Sequence, residues 1–346
     1  MTGLVAANGP AGIMAASGWY EEDRMISWAG ARAALYRMAL VLLLLVAAAL
    51  AWLRWDAGQP RERWFVERRG QVRSADVVPL DAAQGQSAES VRLKSDSELE
   101  VFLRVIRDDV VGKRLPVLLV LGGHRTGSAA VELFGEVGER AVVALDYPYD
   151  GPQSAHGLAE IAKALPLVRQ TFLDTPPAVS LVVDWLYDRP WVDRDRMVMV
   201  GASLGVPFAA TAAAWDDRLT GLFLVHGALD NRLWLEKNLS RRMDLGLLQS
   251  TTATILHWFV YGPVFDTEKH VAAVSPRPVL IVGARDDERT PEGQTRALFD
   301  AAREPKMLRW TEGRHVDPGR PDIIDDLLRI ADEELPFLIS RQEYRQ

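Results

Sequence analysis

Five short stretches of this chain, residues 115–121, 141–145, 197–200, 222–225 and 279–282, are apolar without interruption. A strand with one wet face alternates apolar and polar residues. Unbroken runs this short belong instead to strands covered on both faces, at the centre of a parallel sheet. Helical segments fall between and after them, at 157–171, 177–187, 290–303 and 321–339. Strands alternating with helices connect through right-handed crossovers, which predicts an α/β domain with a mostly parallel central sheet and helices on both faces. Residues 90–93 and 99–107 alternate in polarity and predict half-exposed strands at the edge of that sheet.

Composition mainly excludes. A net charge of −7 over 346 residues, with no basic face carrying interleaved aromatics, argues against a nucleic-acid partner. Neither zinc-ligand spacing nor a phosphate loop is present, so no metal and no cofactor is expected. The chain has no cysteine, which removes thiol nucleophiles and disulfides from consideration.

The N-terminal region departs from this average. Every residue from Met38 to Leu53 is apolar, a run a little short of the ~20 residues that a membrane-spanning helix needs. Extension upstream through Ala33, Ala34, Leu35 and Tyr36 reaches that length if Arg37 snorkels to the headgroups. Tyr36, Trp52 and Trp55 stand where interfacial aromatics belong. The expected organisation is a tail over 1–32, a transmembrane anchor over 33–55, a linker over 56–89 and one domain over 90–346. A cleaved signal sequence fits the same residues, with Arg32 and Arg37 ahead of the apolar core and Ala49-Leu50-Ala51 as the cleavage site, and would yield a secreted or periplasmic protein. A soluble core helix is the third reading, opposed by the lack of any polar face over so many positions. Arg24, Arg32 and Arg37 precede the run and Arg54, Arg61, Arg63 and Arg68 come after it, so charge barely orients it. An N-terminal anchor with basic residues ahead of it usually exports the domain behind it, so the domain is expected outside the cytoplasm.

Chemistry enters with Gly201-Ala202-Ser203-Leu204-Gly205. The strand-like 197–200 precedes this G-x-S-x-G turn. Val206-Pro207-Phe208 and the alanine-rich 209–215 come next as a helix with proline in its first turn. Strand, sharp turn and helix together expose a serine hydroxyl on a strained backbone. Serine is a poor nucleophile without a base, and the base needs a third group to orient it. After the run 279–282 comes Gly283-Ala284-Arg285-Asp286-Asp287, which places a carboxylate on the loop above the sheet. After the strand-like 306–310 comes Gly313-Arg314-His315, and His315 is the only histidine downstream of that carboxylate. Serine, acid and histidine thus occur in that order, each just past a strand end.

From about Ser90 onward the chain resembles the α/β-hydrolase fold, in particular its esterase and dienelactone-hydrolase-like or prolyl-oligopeptidase-like branch. The resemblance rests on residues 182–186, 192–196, the turn around Ser203, 275–279, 283–291 and 313–315. It implies acyl transfer: Ser203 attacks an ester carbonyl, His315 takes and returns the proton, and Asp286 holds the imidazole. It also implies an oxyanion hole from the backbone N–H of Leu204 and one from the loop Leu121-Gly122-Gly123-His124. That loop lacks the His-Gly pair with which the family commonly begins it. Gly123 is therefore the chosen donor and His124 the alternative. The family's proline stands four residues after the acid, whereas Pro291 is five after Asp286 and four after Asp287, so Asp287 is the alternative acid.

Almost fifty residues separate Gly227 from the next core strand, and the region of about 228–275 is expected to be a cap inserted over the acyl pocket or facing a bilayer. Packing of these segments on the core is the competing expectation. His124 and His226, at strand ends near the active face, are expected either to pack or to contact substrate. The functional expectation is a membrane-associated serine hydrolase acting on a small-molecule carboxylic ester. Peptide or thioester cleavage on the same machinery, or a catalytically inactive binding or scaffold module, are the alternatives.

Overall fold

The computed structural model describes residues 17–123, 126–152, 154, 157–241 and 245–340. The chain divides into two units, Met1–Trp55 and Asp56–Gln346. Helix α1 (Ser17–Ala57) occupies the described part of the first and ends just inside the second. Its residues Gly30–Ala57 are long and apolar enough to cross a membrane, and the most apolar part of that helix is not buried against protein.

The second unit is built on one nine-stranded sheet. Its strands are β1 (Val72–Leu80), β2 (Gln86–Ser95), β3 (Glu100–Asp108), β4 (Leu115–Leu121), β5 (Ala141–Leu145), β6 (Val192–Ala202), β7 (Gly221–Val225), β8 (Val279–Ala284) and β9 (Lys306–Thr311). They lie in the order β1-β2-β3-β5-β4-β6-β7-β8-β9. Strands β5 to β9 and β4 pair in parallel, and β1, β2 and β3 add an antiparallel edge. Every residue of β4, β5, β7 and β8 is buried, as their unbroken apolar sequences require.

Alternate side chains divide the core into two layers. Leu119, Leu121, Met199 and Leu224 face helices α3 (Leu158–Tyr187), α4 (Gly205–Trp215) and α8 (Glu292–Ala301). Leu118, Val120, Val200 and Phe223 face the other side, where a short 3₁₀ helix (Gly127–Phe134) and α9 (Pro321–Ile339) supply the cover.

Three expectations change. Residues 56–89 form no linker: they contain α2 (Glu62–Arg69), β1 and the start of β2. Phe65 is buried with its ring 4.4 Å from that of Trp215, and Arg68 donates two hydrogen bonds to the Asp174 carboxylate at 2.9 and 2.8 Å. The two helices expected at 157–171 and 177–187 are one helix, α3, which runs through Pro166, Pro176 and Pro177. The expected cap contains α5 (Asn231–Leu239), α6 (Gly246–Phe259) and α7 (Thr267–Ala273). Of these, α7 packs against α4, where its His270 meets Thr211 at 2.9 Å.

Candidate active site

Ser203 leaves β6 with φ of +54°, in the left-handed region that a residue bearing a Cβ avoids unless its surroundings force it. Its N–H donates to Val225 O at 2.9 Å, and Val206 N–H donates to Ser203 O at 3.1 Å. Two glycines make room for this turn. A Cβ on Gly201 would stand 2.5 Å from the Ala209 Cβ, and one on Gly205 would stand 2.2 Å from Leu121 O. The sequence G-x-S-x-G is thus a steric requirement of helix α4 packing close to β4 and β6.

His315 comes to Ser203 from the loop after β9. Its Nε2 is 2.7 Å from Ser203 Oγ, and its Nδ1 is 2.8 and 2.9 Å from the two carboxylate oxygens of Asp287. A carboxylate can only accept, so Nδ1 carries the ring proton and Nε2 is left to accept from the serine hydroxyl. The His315 and Asp287 side chains are 1% and 2% exposed, which shields this relay from water. Backbone N–H groups of Arg289 and Thr290 donate to Asp287 Oδ1 at 2.8 and 2.7 Å and hold the carboxylate in place.

The preferred acid is therefore corrected. Asp286 is exposed and takes part through its backbone, whose N–H donates to Gly313 O at 2.8 Å. The chain turns here, and of the two neighbouring carboxylates only that of Asp287 meets His315. The proline spacing pointed to the residue that does, Asp287.

Around His315 the structure adds Glu288 and Arg320, which the sequence did not single out, and places a third residue, His226, which it did. Glu288 accepts the His315 N–H at 3.0 Å, and Arg320 donates to His315 O at 2.6 Å. Arg320 also donates to Glu288 at 2.9 Å, which closes the clamp on the histidine backbone. Burial would raise the Glu288 carboxyl, but Arg320 and the His315 N–H outweigh it and bring it down to about 2. The third is His226, at the end of β7, with φ of +51°. Its Nδ1 accepts Val316 N–H at 2.8 Å and its Nε2 lies 3.1 Å from Thr311 Oγ1. Burial holds His226 neutral, with its pKa lowered to about 4.

His226, Asp287 and His315 bring one possible ligand atom each within 4.8 Å of one another. Both ring nitrogens of both histidines take part in hydrogen bonds in this arrangement.

The loop after β4 also comes close to the serine. A Cβ on Gly123 would stand 3.7 Å from Ser203 Cβ, and Leu204 begins the first turn of α4. Tyr147, partly buried against the core, donates to Gly122 O at 2.9 Å, and its removal from water raises its phenol above the usual range. His124 lies outside the described residues. A cavity of about 860 Å³ opens at Ser203, roofed by Trp234, Leu235 and Leu256 of α5 and α6.

No family model and no curated sequence matches this chain. Solved structures do. An acetyl xylan esterase from Paenibacillus sp. R4 is 16% identical, with a TM-score of 0.56 over 78% of this chain and 92% of its own. Acetyl xylan esterase 1 from Thermoanaerobacterium sp. JW/SL YS485 is 16% identical, with a TM-score of 0.54 over 80% and 97%. A cold-adapted esterase from an Arctic intertidal metagenomic library is 14% identical, with a TM-score of 0.51 over 75% and 98%. At these identities the likeness is one of fold.

Proposed function

The chain has the α/β-hydrolase fold, and from it we propose a serine hydrolase that cleaves a carboxylic ester through an acyl-enzyme. The observation that carries this reading is the continuous hydrogen-bonded line from Ser203 Oγ through His315 to Asp287. Ser203 attacks the ester carbonyl as His315 Nε2 takes its proton, and Asp287 stabilises the imidazolium that results. The backbone N–H groups of Leu204 and Gly123 meet the oxyanion. The imidazolium then protonates the leaving alcohol. A water molecule, deprotonated by the same nitrogen, releases the acid and restores the serine.

The reading as an inactive scaffold called for His315 out of reach of Ser203, and the 2.7 Å separation favours catalysis instead. That the similar structures are described as esterases supports an ester as the bond cleaved. The testing experiment is hydrolysis of p-nitrophenyl acetate by the full chain and by Ser203→Ala. The wild type should turn over, and the variant should lose at least about 10³-fold in kcat. Equal rates would end the reading.

The apolar helix α1 supports a membrane anchor or a signal sequence, and the retained anchor is the reading to test. On fractionation the protein should stay with membranes in alkaline carbonate and be released by detergent. Recovery of the full chain in the soluble fraction would contradict an anchor.

A further inference from the structure

An oxyanion hole works only if its two N–H donors converge on one point, and the two assigned above sit on different segments. Leu204 begins helix α4, whereas Gly123 belongs to the loop after β4. The peptide unit between Gly122 and Gly123 has a glycine on each side, so sterics give it little preference for one face. Turned over, it would present the Gly122 carbonyl oxygen where the Gly123 N–H is needed, and would repel the developing charge.

One side chain holds this peptide. Tyr147 Oη donates to Gly122 O at 2.9 Å. In a planar trans peptide the C=O of one residue and the N–H of the next point in opposite directions. The strand order says which directions these are. Strand β4 lies between β5, which leads into Tyr147, and β6, which leads into Ser203. A carbonyl held from the β5 side therefore turns the Gly123 N–H towards the β6 side, where a Cβ on Gly123 would stand 3.7 Å from that of Ser203.

The ring of Tyr147 is itself fixed against the helix of the other donor. It meets Phe208 of α4 edge-on at 5.9 Å, and Phe208 in turn packs on Phe172 at 5.1 Å and Phe265 at 4.8 Å. Thr171 Oγ1 donates to Pro148 O at 3.1 Å and holds the next residue of the tyrosine's loop. Removal from water keeps the phenol protonated, so its hydroxyl stays a donor. Thr126 N–H donates to Gly123 O at 3.1 Å, which holds the peptide after Gly123 but not the one before it. A bond accepted by Gly122 O also polarises its peptide and makes the Gly123 N–H a stronger donor.

We propose that Tyr147 is a positioning residue of the oxyanion hole: its hydroxyl holds the Gly122–Gly123 peptide so that the Gly123 N–H faces the carbonyl oxygen of the substrate. The assignment rests on the hydrolase reading above and deepens it.

Tyr147→Phe removes the hydroxyl and leaves the ring on Phe208. Acylation and deacylation both pass through an oxyanion. With the full chain in lipid nanodiscs and p-nitrophenyl acetate, kcat should therefore fall by about 10–100-fold, with KM within about twofold. A hexyl trifluoromethyl ketone binds a serine nucleophile as a hemiketal oxyanion, and its inhibition constant should rise by the same factor. A variant that merely folds less completely would lose kcat and keep the inhibition constant. A second measurement needs no variant: a crystal structure of the full chain, grown from a lipidic mesophase after phosphonylation of Ser203. The phosphonyl oxygen should lie within about 3.2 Å of Gly123 N, with the bond from Tyr147 to Gly122 O retained. Wild-type kinetics in Tyr147→Phe, or a lower kcat with an unchanged inhibition constant, overturns the positioning role and keeps the hydrolase. So does a phosphonyl oxygen bonded to the Tyr147 hydroxyl itself, or a Gly122–Gly123 peptide turned over. A wild type that neither turns over the ester nor takes up phosphonate overturns the hydrolase reading, and this role with it.

Discussion

The backbone N–H of Val316 donates to Nδ1 of His226 at 2.8 Å, so the residue after His315 is held by a histidine standing on the end of β7. With Glu288 on the His315 N–H and Arg320 on its carbonyl, the base is fixed by its backbone on both sides as well as by Asp287 through its ring. In the proposed mechanism His226 acts through His315 and is a positioning residue.

Its removal should therefore affect turnover more than binding. We expect His226→Ala to lower kcat by about 10–100-fold with KM within about twofold, because a small displacement of the base from the serine is costly. His226→Asn separates two causes. Asparagine tolerates positive φ but cannot place a ring nitrogen at Val316. Steady-state kinetics should show both variants impaired. Full activity in the asparagine variant would mean that the backbone conformation, and not the ring, matters.

The neighbouring carboxylates give a sharper contrast. Asp287→Asn should lower kcat on the order of 10³–10⁴-fold, since the imidazole loses the partner that selects its tautomer. Asp286→Asn, at an exposed side chain that leaves the backbone bond to Gly313 intact, should stay within about twofold. The same ester assay decides, and the reverse order would return the acid role to Asp286.

Stability should fall in mild acid. Burial lowers both His226 and His270 from the ordinary 6.5 to about 4, so each is neutral when folded. The unfolded chain binds a proton at each site near pH 6.5, while the folded chain resists until about 4. The stabilisation is therefore complete above about pH 6.5 and is lost as the pH falls towards 4, on the order of 3 kcal/mol for each histidine. Glu288, lowered to about 2, adds a loss of the same sign between about pH 4.5 and 2. Thermal melts from pH 7 to 4 should show a falling Tm, with a shallower slope in His270→Gln. A Tm constant over that range would contradict the buried neutral pair.

Legibility in the chain depended on how local each signal is. The central strands were legible because burial on both faces leaves an unbroken apolar run, as in Leu115–Leu121. The turn at Ser203 was legible because its two glycines are a local steric demand. Strand β1 was not, since all but its first residue is exposed and its sequence carries no core face. Helix α3 read as two because a proline pair inside a helix looks like a boundary, and packing against α2 and α4 overrode that preference. Adjacent aspartates differ by a rotation of the backbone that composition cannot express. Glu288 and Arg320 are thirty-two positions apart, His226 and Val316 ninety, and only the folded sheet brings each pair together.

The central claim is that Ser203 is the nucleophile, and a fluorophosphonate probe tests it most directly. After reaction with the full chain, peptide mass spectrometry should place a single phosphonyl adduct on Ser203, and Ser203→Ala and heat-denatured protein should remain unlabelled. Labelling of the alanine variant to the same extent as the wild type, or an adduct on a different residue, would contradict the account.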